Sequence, residues 1–391
     1  MAKESLRMLI KNAHLFGVAK DWNPGWLVVE GAKINLMGGG TPPDFPSGTF
    51  ERILDARGSI LLPGFIDIHV HGAMGQEAMD ATPDALRKMA QFYAQHGVTG
   101  FLPSTWTAIG EATHKVIDVV KRMMGRVEKG ASILGVHLEG PYLNPSRCGA
   151  QDVNLIRPAE EKELARFFDS DIVKLFALAP EFPENMSIIQ ECVRRGIVAS
   201  VGHSAATYDQ VGAAVKLGLR HATHTFNAMT AFGHRELGTV GAVMAYDEIT
   251  CELICDNIHV HPGAQKILVD VKTPNGVVLV TDAIRGAGLP DGEHPIDNRV
   301  ITVKDGVARL PDGTIAGSIL TMERALKNVM AATGRPLHEI WQMSSLNSAR
   351  QIGISAHKGS LEVDKDADLV LLDTDFNVKL TVVEGEIVFE A

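Results

Sequence analysis

The 391-residue chain has no apolar run near the roughly 18 residues a membrane helix requires, so no bilayer crossing is expected. A long basic run is missing too. The 37 lysines and arginines are scattered among 47 aspartates and glutamates, for a net charge of -10. That excludes the footprint of a nucleic-acid binder. The four cysteines, at 148, 192, 251 and 255, form no CxxC pair and read as reduced, buried thiols. The opening MAKESLRMLIKNAHLF lacks the apolar core and cleavage site of a signal peptide, so the expected location is the cytoplasm. The glycine stretches LMGGG and GAGLPDG lack the lysine and hydroxyl of a phosphate loop. No GxSxG elbow occurs, which removes that route to a serine nucleophile.

What remains is an ordinary globular composition, 45% hydrophobic and 21% charged. The first sixty residues are strand-like and turn-rich, and ADLVLLDTDFNVKLTVVEGEIVFEA near the other end reads as three short strands. Between them, eight apolar runs alternate with amphipathic helical patterns: 65–71, 98–104, 133–139, 172–179, 197–203, 220–226, 249–256 and 276–282. Eight βα units predict a TIM (β/α)8 barrel of about 250 residues. An open doubly wound sheet is disfavoured because no strand is followed by GxGxxG. The expected organisation is a small β-sandwich domain built from both chain termini, 1–60 and 356–391, around a barrel at 61–355.

Residues of metal-ligand type fall at the ends of these strands. His69 and His71 end the first, Glu139 the third, His203 the fifth; His224 lies on the sixth and Asp282 ends the eighth. The C-terminal strand ends of such a barrel form its active-site face. Alternation along a strand points His69 and His71 the same way, a two-pronged grip on one point. Each residue alone has a plainer explanation. A lone HxH is often accidental, His203 or His224 would pass for hydrogen-bonded core histidines, Asp282 for a helix N-cap and Glu139 for a loop cap. Joint placement at five strand ends favours a metal site, with Zn²⁺, Fe²⁺ or Mn²⁺ suited to imidazole and carboxylate ligands. Just beyond the sixth strand stand Asn227, His234 and Arg235; Arg235 beside a metal centre would hold an anionic group. After the seventh, His259 lies nearer the strand end than His261 and is the better site candidate.

PGFIDIHVHG near the start of a barrel resembles the amidohydrolase superfamily. HLEGPYLNPSRCGAQ, GHSAAT, ATHTFNAM, DNIHVHP, VTDAIRGAGLPDG and IAGSILTME are similar, in this order, to N-acetylglucosamine-6-phosphate deacetylases. The resemblance implies that Glu139, His203 and His224 hold the principal metal and that His69 and His71 hold a second, so one or two ions, with zinc favoured. It implies Asp282 as acid/base. Asn227, the Ala228 backbone, Arg235 and His259 match substrate contacts, with Arg235 on a phosphate. Ala150–Gln151, Asp256–His259 and Ile315, Ala316 and Gly317 match sugar-contacting loops. Two substrate loops depart from the family: GAH becomes Gly149-Ala150-Gln151, and DGxH becomes Asp256-Asn257-Ile258-His259. The implied reaction is hydrolysis of the acetamide of N-acetyl-D-glucosamine 6-phosphate, in a cytoplasmic homodimer with no nucleic-acid or membrane partner. The alternatives are a deacetylase of N-acetylgalactosamine 6-phosphate and a cyclic-amide hydrolase of the dihydroorotase or hydantoinase kind. The latter typically bridges two metals with a carboxylated lysine late in the fourth strand, whereas Lys174 comes early. A catalytically dead scaffold of the same fold would be expected to lose ligands, and all six positions are filled.

Overall fold

Short apolar runs covered on both faces belong in a parallel sheet, and the eight found in the sequence form one. A computed structural model describes residues 7–296 and 299–391. The barrel strands are Phe65–Val70, Val98–Thr105, Val136–Glu139, Val173–Leu178, Val198–Val201, His221–Ala222, Thr250–Ile254 and Val277–Val280. Each pairs in parallel with the next through the eighth. A bridge between Val70 and Ala283 brings the eighth back to the first. A helix follows every strand, from Pro83–Gln95 after the first to Met322–Thr333 after the eighth. Tyr208–Leu217 shows how local chemistry bounds them. Thr207 and Gln210 form a reciprocal cap at its start, and Gly218, at φ 107°, ends it in a conformation that L side chains avoid.

Closure and site assembly are the same event. The His71 amide donates to the Ala283 carbonyl at 2.8 Å and the Asp282 amide to the His69 carbonyl at 2.9 Å. The Thr281 hydroxyl donates to the buried Asp67 carboxylate at 2.6 Å. The hydrogen bonds that join the first and last strands therefore also set three candidate site residues beside one another.

The remaining strands differ from expectation in three places. The third run, read as 133–139, is broken at Gly135, which takes φ 145°, into Ser132–Ile133 and Val136–Glu139. The sixth, read as 220–226, keeps only His221–Ala222, because residues 223–228 turn sharply out of the sheet. Between the eighth strand and its helix the chain inserts Gly292–Ile296, Arg299–Lys304 and Val307–Arg309, an antiparallel sheet absent from the sequence reading. It buries Ile284, Ile301 and Val303 against one another and packs toward Trp106 and Ala150.

Both ends of the chain meet in a separate eight-stranded sheet. Arg7–Phe16, Asp21–Glu30, Lys33–Gly39, Arg52–Asp55 and Ile60–Pro63 are joined by Leu369–Leu372, Val378–Val383 and Glu386–Glu390. The seam is antiparallel, Leu371 opposite Leu61. Met8, Ile10, Leu27, Val29, Leu61, Leu369 and Val382 form its core. Among the described residues no helix is long and apolar enough to cross a membrane.

One ion cluster lies within the C-terminal part of this sheet, beside the start of the barrel. Lys358 Nζ lies 2.8 Å from Asp368, 3.0 Å from Asp366 and 3.0 Å from Glu384. The Asp368 carbonyl takes the Gly64 amide at 2.9 Å, just where the first barrel strand begins. Burial pulls the Lys358 ammonium down, but Asp368, Glu384 and Asp366 outweigh it and hold it well above its usual range. Removing the cation strands the buried Asp368 carboxylate beside two half-buried ones, and breaking a buried pair costs about 3–5 kcal/mol. Lys358→Met is expected to lose that much stability in urea denaturation with fold retained; an unchanged midpoint would mean the apolar seam suffices.

Candidate metal centre and pocket

Three of the candidate residues sit where the backbone turns through left-handed φ as it leaves a strand: His203 at 47°, His224 at 30° and Asp282 at 49°. Such strain, of order 1–3 kcal/mol per residue, persists only where the surroundings impose it and clusters at functional sites. Here it swings three side chains over the barrel mouth. His69 and His71 reach the same place by strand alternation from the first strand, and Glu139 from the end of the third. All six are buried.

Glu139 is the shared member. Its Oε1 lies 3.1 Å from His203 Nε2 and 3.0 Å from His224 Nε2, which are 3.0 Å from each other. Its Oε2 lies 3.3 Å from His71 Nε2, and His71 Nε2 is 3.2 Å from His69 Nε2. Asp282 Oδ1 closes the group at 3.3 Å from His71 and 3.5 Å from His69. Two overlapping triads result: His69, His71, Glu139 and Glu139, His203, His224.

The donor chemistry fits a divalent cation. Ligands about 2.0–2.1 Å from a tetrahedral ion stand roughly 3.3–3.4 Å apart, close to the spacings found. The tautomers agree. His69 Nδ1 faces the Glu252 carboxylate at 2.9 Å and His203 Nδ1 faces the Arg147 carbonyl at 2.9 Å, both acceptors. Each Nδ1 therefore carries a proton, which leaves each Nε2 as the atom facing the mouth and available as a ligand. The site also draws positive charge. Burial lowers His69, but Glu252, Asp282 and Glu139 outweigh it and raise the ring to about 10; His71, against Asp282 and Glu139, reaches about 9. Burial raises Glu139 and Asp282, yet the imidazoles hold both below their ordinary values.

Above the triads opens a cavity of about 170 Å³. Trp106 and the loop residues Ala150 and Gln151 line one side, and Asn227, Ala228 and His259 another. Ile315 and Gly317 come from the chain that returns from the inserted sheet. His259 is oriented by Asp256, whose Oδ2 lies 2.6 Å from its Nδ1. Two expected members are elsewhere. Ala316 packs its side chain into the core of the inserted sheet. Arg235 is exposed and is not part of the cavity lining.

The amidohydrolase family model matches residues 60–388. The chain belongs to the amidohydrolase family. This amidohydrolase is 36% identical to N-acetylglucosamine-6-phosphate deacetylase of Bacillus subtilis, over 98% of the chain and 97% of that relative. It is 36% identical to N-acetylgalactosamine-6-phosphate deacetylase of Escherichia coli, over 84% of the chain and 87% of that relative. Among solved structures, a mutant N-acetyl-D-glucosamine-6-phosphate deacetylase of Mycobacterium smegmatis, in complex with N-acetyl-D-glucosamine-6-phosphate, matches with TM-score 0.91. It is 32% identical, and the match covers 98% of this chain and all of that one.

Beneath the ligands lies a polar layer that the sequence reading passed over. Glu252, wholly buried on the seventh strand, accepts from His69, from His221 Nε2 at 3.0 Å and from the His224 amide at 2.9 Å. His137 sets its Nδ1 3.0 Å from the Ser104 hydroxyl, its ring edge-on to His69. Burial, then His69, holds His137 well below its ordinary value, so it is a neutral packing partner. The signal was present in ITCELICD, a lone glutamate inside an apolar strand.

Removing divalent cations gives a signed pH test of this amidohydrolase. Protonated His69 and His71, raised in the folded state, contribute stability that is full below about 6.5. It is lost as pH rises through about 9 and about 10. A restored cation displaces those protons and supplies binding energy instead. Chelator-treated protein is expected to show a falling Tm from pH 6.5 to 9, and cation-loaded protein a much flatter one. Parallel profiles would disprove a shared site for proton and metal.

Proposed function

We propose that this amidohydrolase removes the acetyl group of an N-acetyl amino-sugar 6-phosphate, N-acetyl-D-glucosamine 6-phosphate first, giving acetate and the amino-sugar 6-phosphate. The observation that carries the reading is Asp282. Its Oδ1 shares one point with His69 and His71 at the floor of a sugar-sized cavity. The two relatives and the solved complex act on or hold substrates of this class.

In this reading Glu139, His203 and His224 hold one divalent cation, and His69 and His71 with Glu139 hold a second. Zinc is favoured over iron and manganese for such N and O ligands. When bound, the cation supplies Lewis-acid polarisation and a nucleophile active at neutral pH. The chain supplies the proton path. Asp282, held ionised by the neighbouring imidazoles, accepts a proton from the attacking water. Oxygen adds to the acetyl carbon, the carbon–nitrogen bond breaks, and Asp282 returns the proton to the departing amine. His259, steadied by Asp256, and Asn227 orient the sugar, so that binding away from the acetamide serves positioning. The cavity lining contains neither lysine nor arginine. A 6-phosphate must therefore look beyond it, and Arg235, in the loop that continues from Asn227 and Ala228, is the residue we assign to it. A homodimer in the cytoplasm completes the proposal.

The cyclic-amide alternative is disfavoured by register. Ala177 stands opposite Glu139 in the fourth strand, and Lys174 enters three residues earlier, away from the mouth. The galacto epimer is the second reading, favoured by the Escherichia coli relative.

Acetate release from gluco, galacto and manno N-acetyl sugars, with and without the 6-phosphate, on metal-quantified protein decides between them. The gluco 6-phosphate is expected to be turned over fastest. Activity on none of the phosphorylated sugars would sink the proposal. Asp282→Asn should lower kcat by roughly 10²–10⁴ with metal retained. Arg235→Ala should raise KM for the phosphorylated sugar alone, by about tenfold or more for a lost charge-assisted contact.

A further inference from the structure

Gln151 was expected to touch the sugar, but its polar atoms are committed elsewhere. The side chain is 4% exposed. Its Oε1 accepts the Thr107 amide at 2.7 Å, and its Nε2 donates to Glu139 Oε2 at 2.6 Å. The orientation is forced. A backbone N–H can face only the amide oxygen, so the NH₂ group must face the carboxylate. The Glu139 oxygens are thereby divided, Oε1 toward His203 and His224, with His69 Nε2 3.6 Å away, and Oε2 toward His71. Nothing else among the described residues fixes that division from the loop side. The donor is also neutral. It forms a short charge-assisted bond without cancelling the carboxylate's charge, as a lysine there would.

We propose that Gln151 is a positioning residue for the metal centre. It clamps the Glu139 carboxylate between the two triads so that one side chain serves both, and it is not primarily a sugar contact. This is also the site of a departure from the family pattern, Gln where GAH is common. The inference rests on the metal reading above. It separates Gln151 from its neighbour Ala150 and from Asn227 and His259, which keep their place as substrate contacts.

The test compares wild type with Gln151→Met, nearly isosteric without the donor, and Gln151→Ala. Metal content per chain, zinc Kd by chelator competition, and kcat and KM for N-acetyl-D-glucosamine 6-phosphate are measured, with circular dichroism and Tm checking the fold. Loss of such an outer partner weakens metal binding by roughly 10–100-fold. Both variants are expected to show that loss, with kcat reduced, KM within about twofold of wild type, and kcat partly restored by excess zinc. Unchanged zinc Kd with KM raised tenfold would overturn the inference and return Gln151 to the sugar. Wild type that binds no divalent metal would instead overturn the metal reading on which it rests.

Discussion

A single buried carboxylate, Glu139, shared among imidazoles from three other strand ends, is the constraint around which the barrel mouth is built. An isolated carboxylate in an apolar interior is costly, and it is tolerated only when paired and hydrogen-bonded. Here the pairing comes from His69, His71, His203 and His224, and the hydrogen bond from Gln151. These partners come from three strand ends and one loop, His69 and His71 sharing the first strand. The position of one side chain therefore depends on the registration of the whole mouth, and a shift in any one strand would leave charge without a partner.

That dependence explains why the strain is where it is. A β-strand continuing in regular geometry would carry His203, His224 and Asp282 along the barrel wall. A left-handed turn at each of these residues redirects the side chain over the opening. The closing hydrogen bonds from His71 and Asp282 absorb part of the cost, because the same turns that aim the side chains satisfy backbone groups at the seam. Gly317 belongs to the same arrangement. A Cβ there would come within 2.4 Å of Ile284 and 2.9 Å of the Asp282 carbonyl, so only glycine lets the returning loop lie against the seam.

Much of this was legible because parallel strands with both faces covered are written as apolar runs, and polar residues at their ends stand out. The eight runs, the terminal sheet and all six ligand-type residues were read from that contrast alone. The inserted sheet at Gly292–Arg309 was not, since its short strands alternate charged and apolar residues among turns and look like a loop. Ala316 was carried by resemblance to a motif, and a motif specifies neighbours along the chain rather than neighbours in space. Gln151 shows the converse. Its place in the cavity was anticipated, but its partner lies twelve residues back on another element, beyond what local sequence expresses.

Glu252 joins the ligands one layer deeper in the barrel. One of its oxygens, Oε2, receives both the His69 ring and the His224 backbone amide, and Oε1 receives His221. The two ligand triads are thus joined from below by Glu252 as they are joined from above by Glu139. His69 consequently has two tasks: its Nε2 faces the mouth, and its Nδ1–H neutralises a carboxylate sealed in the barrel. Burial raises Glu252, while His69 and His221 hold it well below its usual range, so the charge is permanent and its partners cannot be dispensed with. The HxH pair on the first strand is therefore tied to the barrel interior as well as to the metal site. Losing His69 would require a compensating change at Glu252, whose Oε2 also receives the His224 amide.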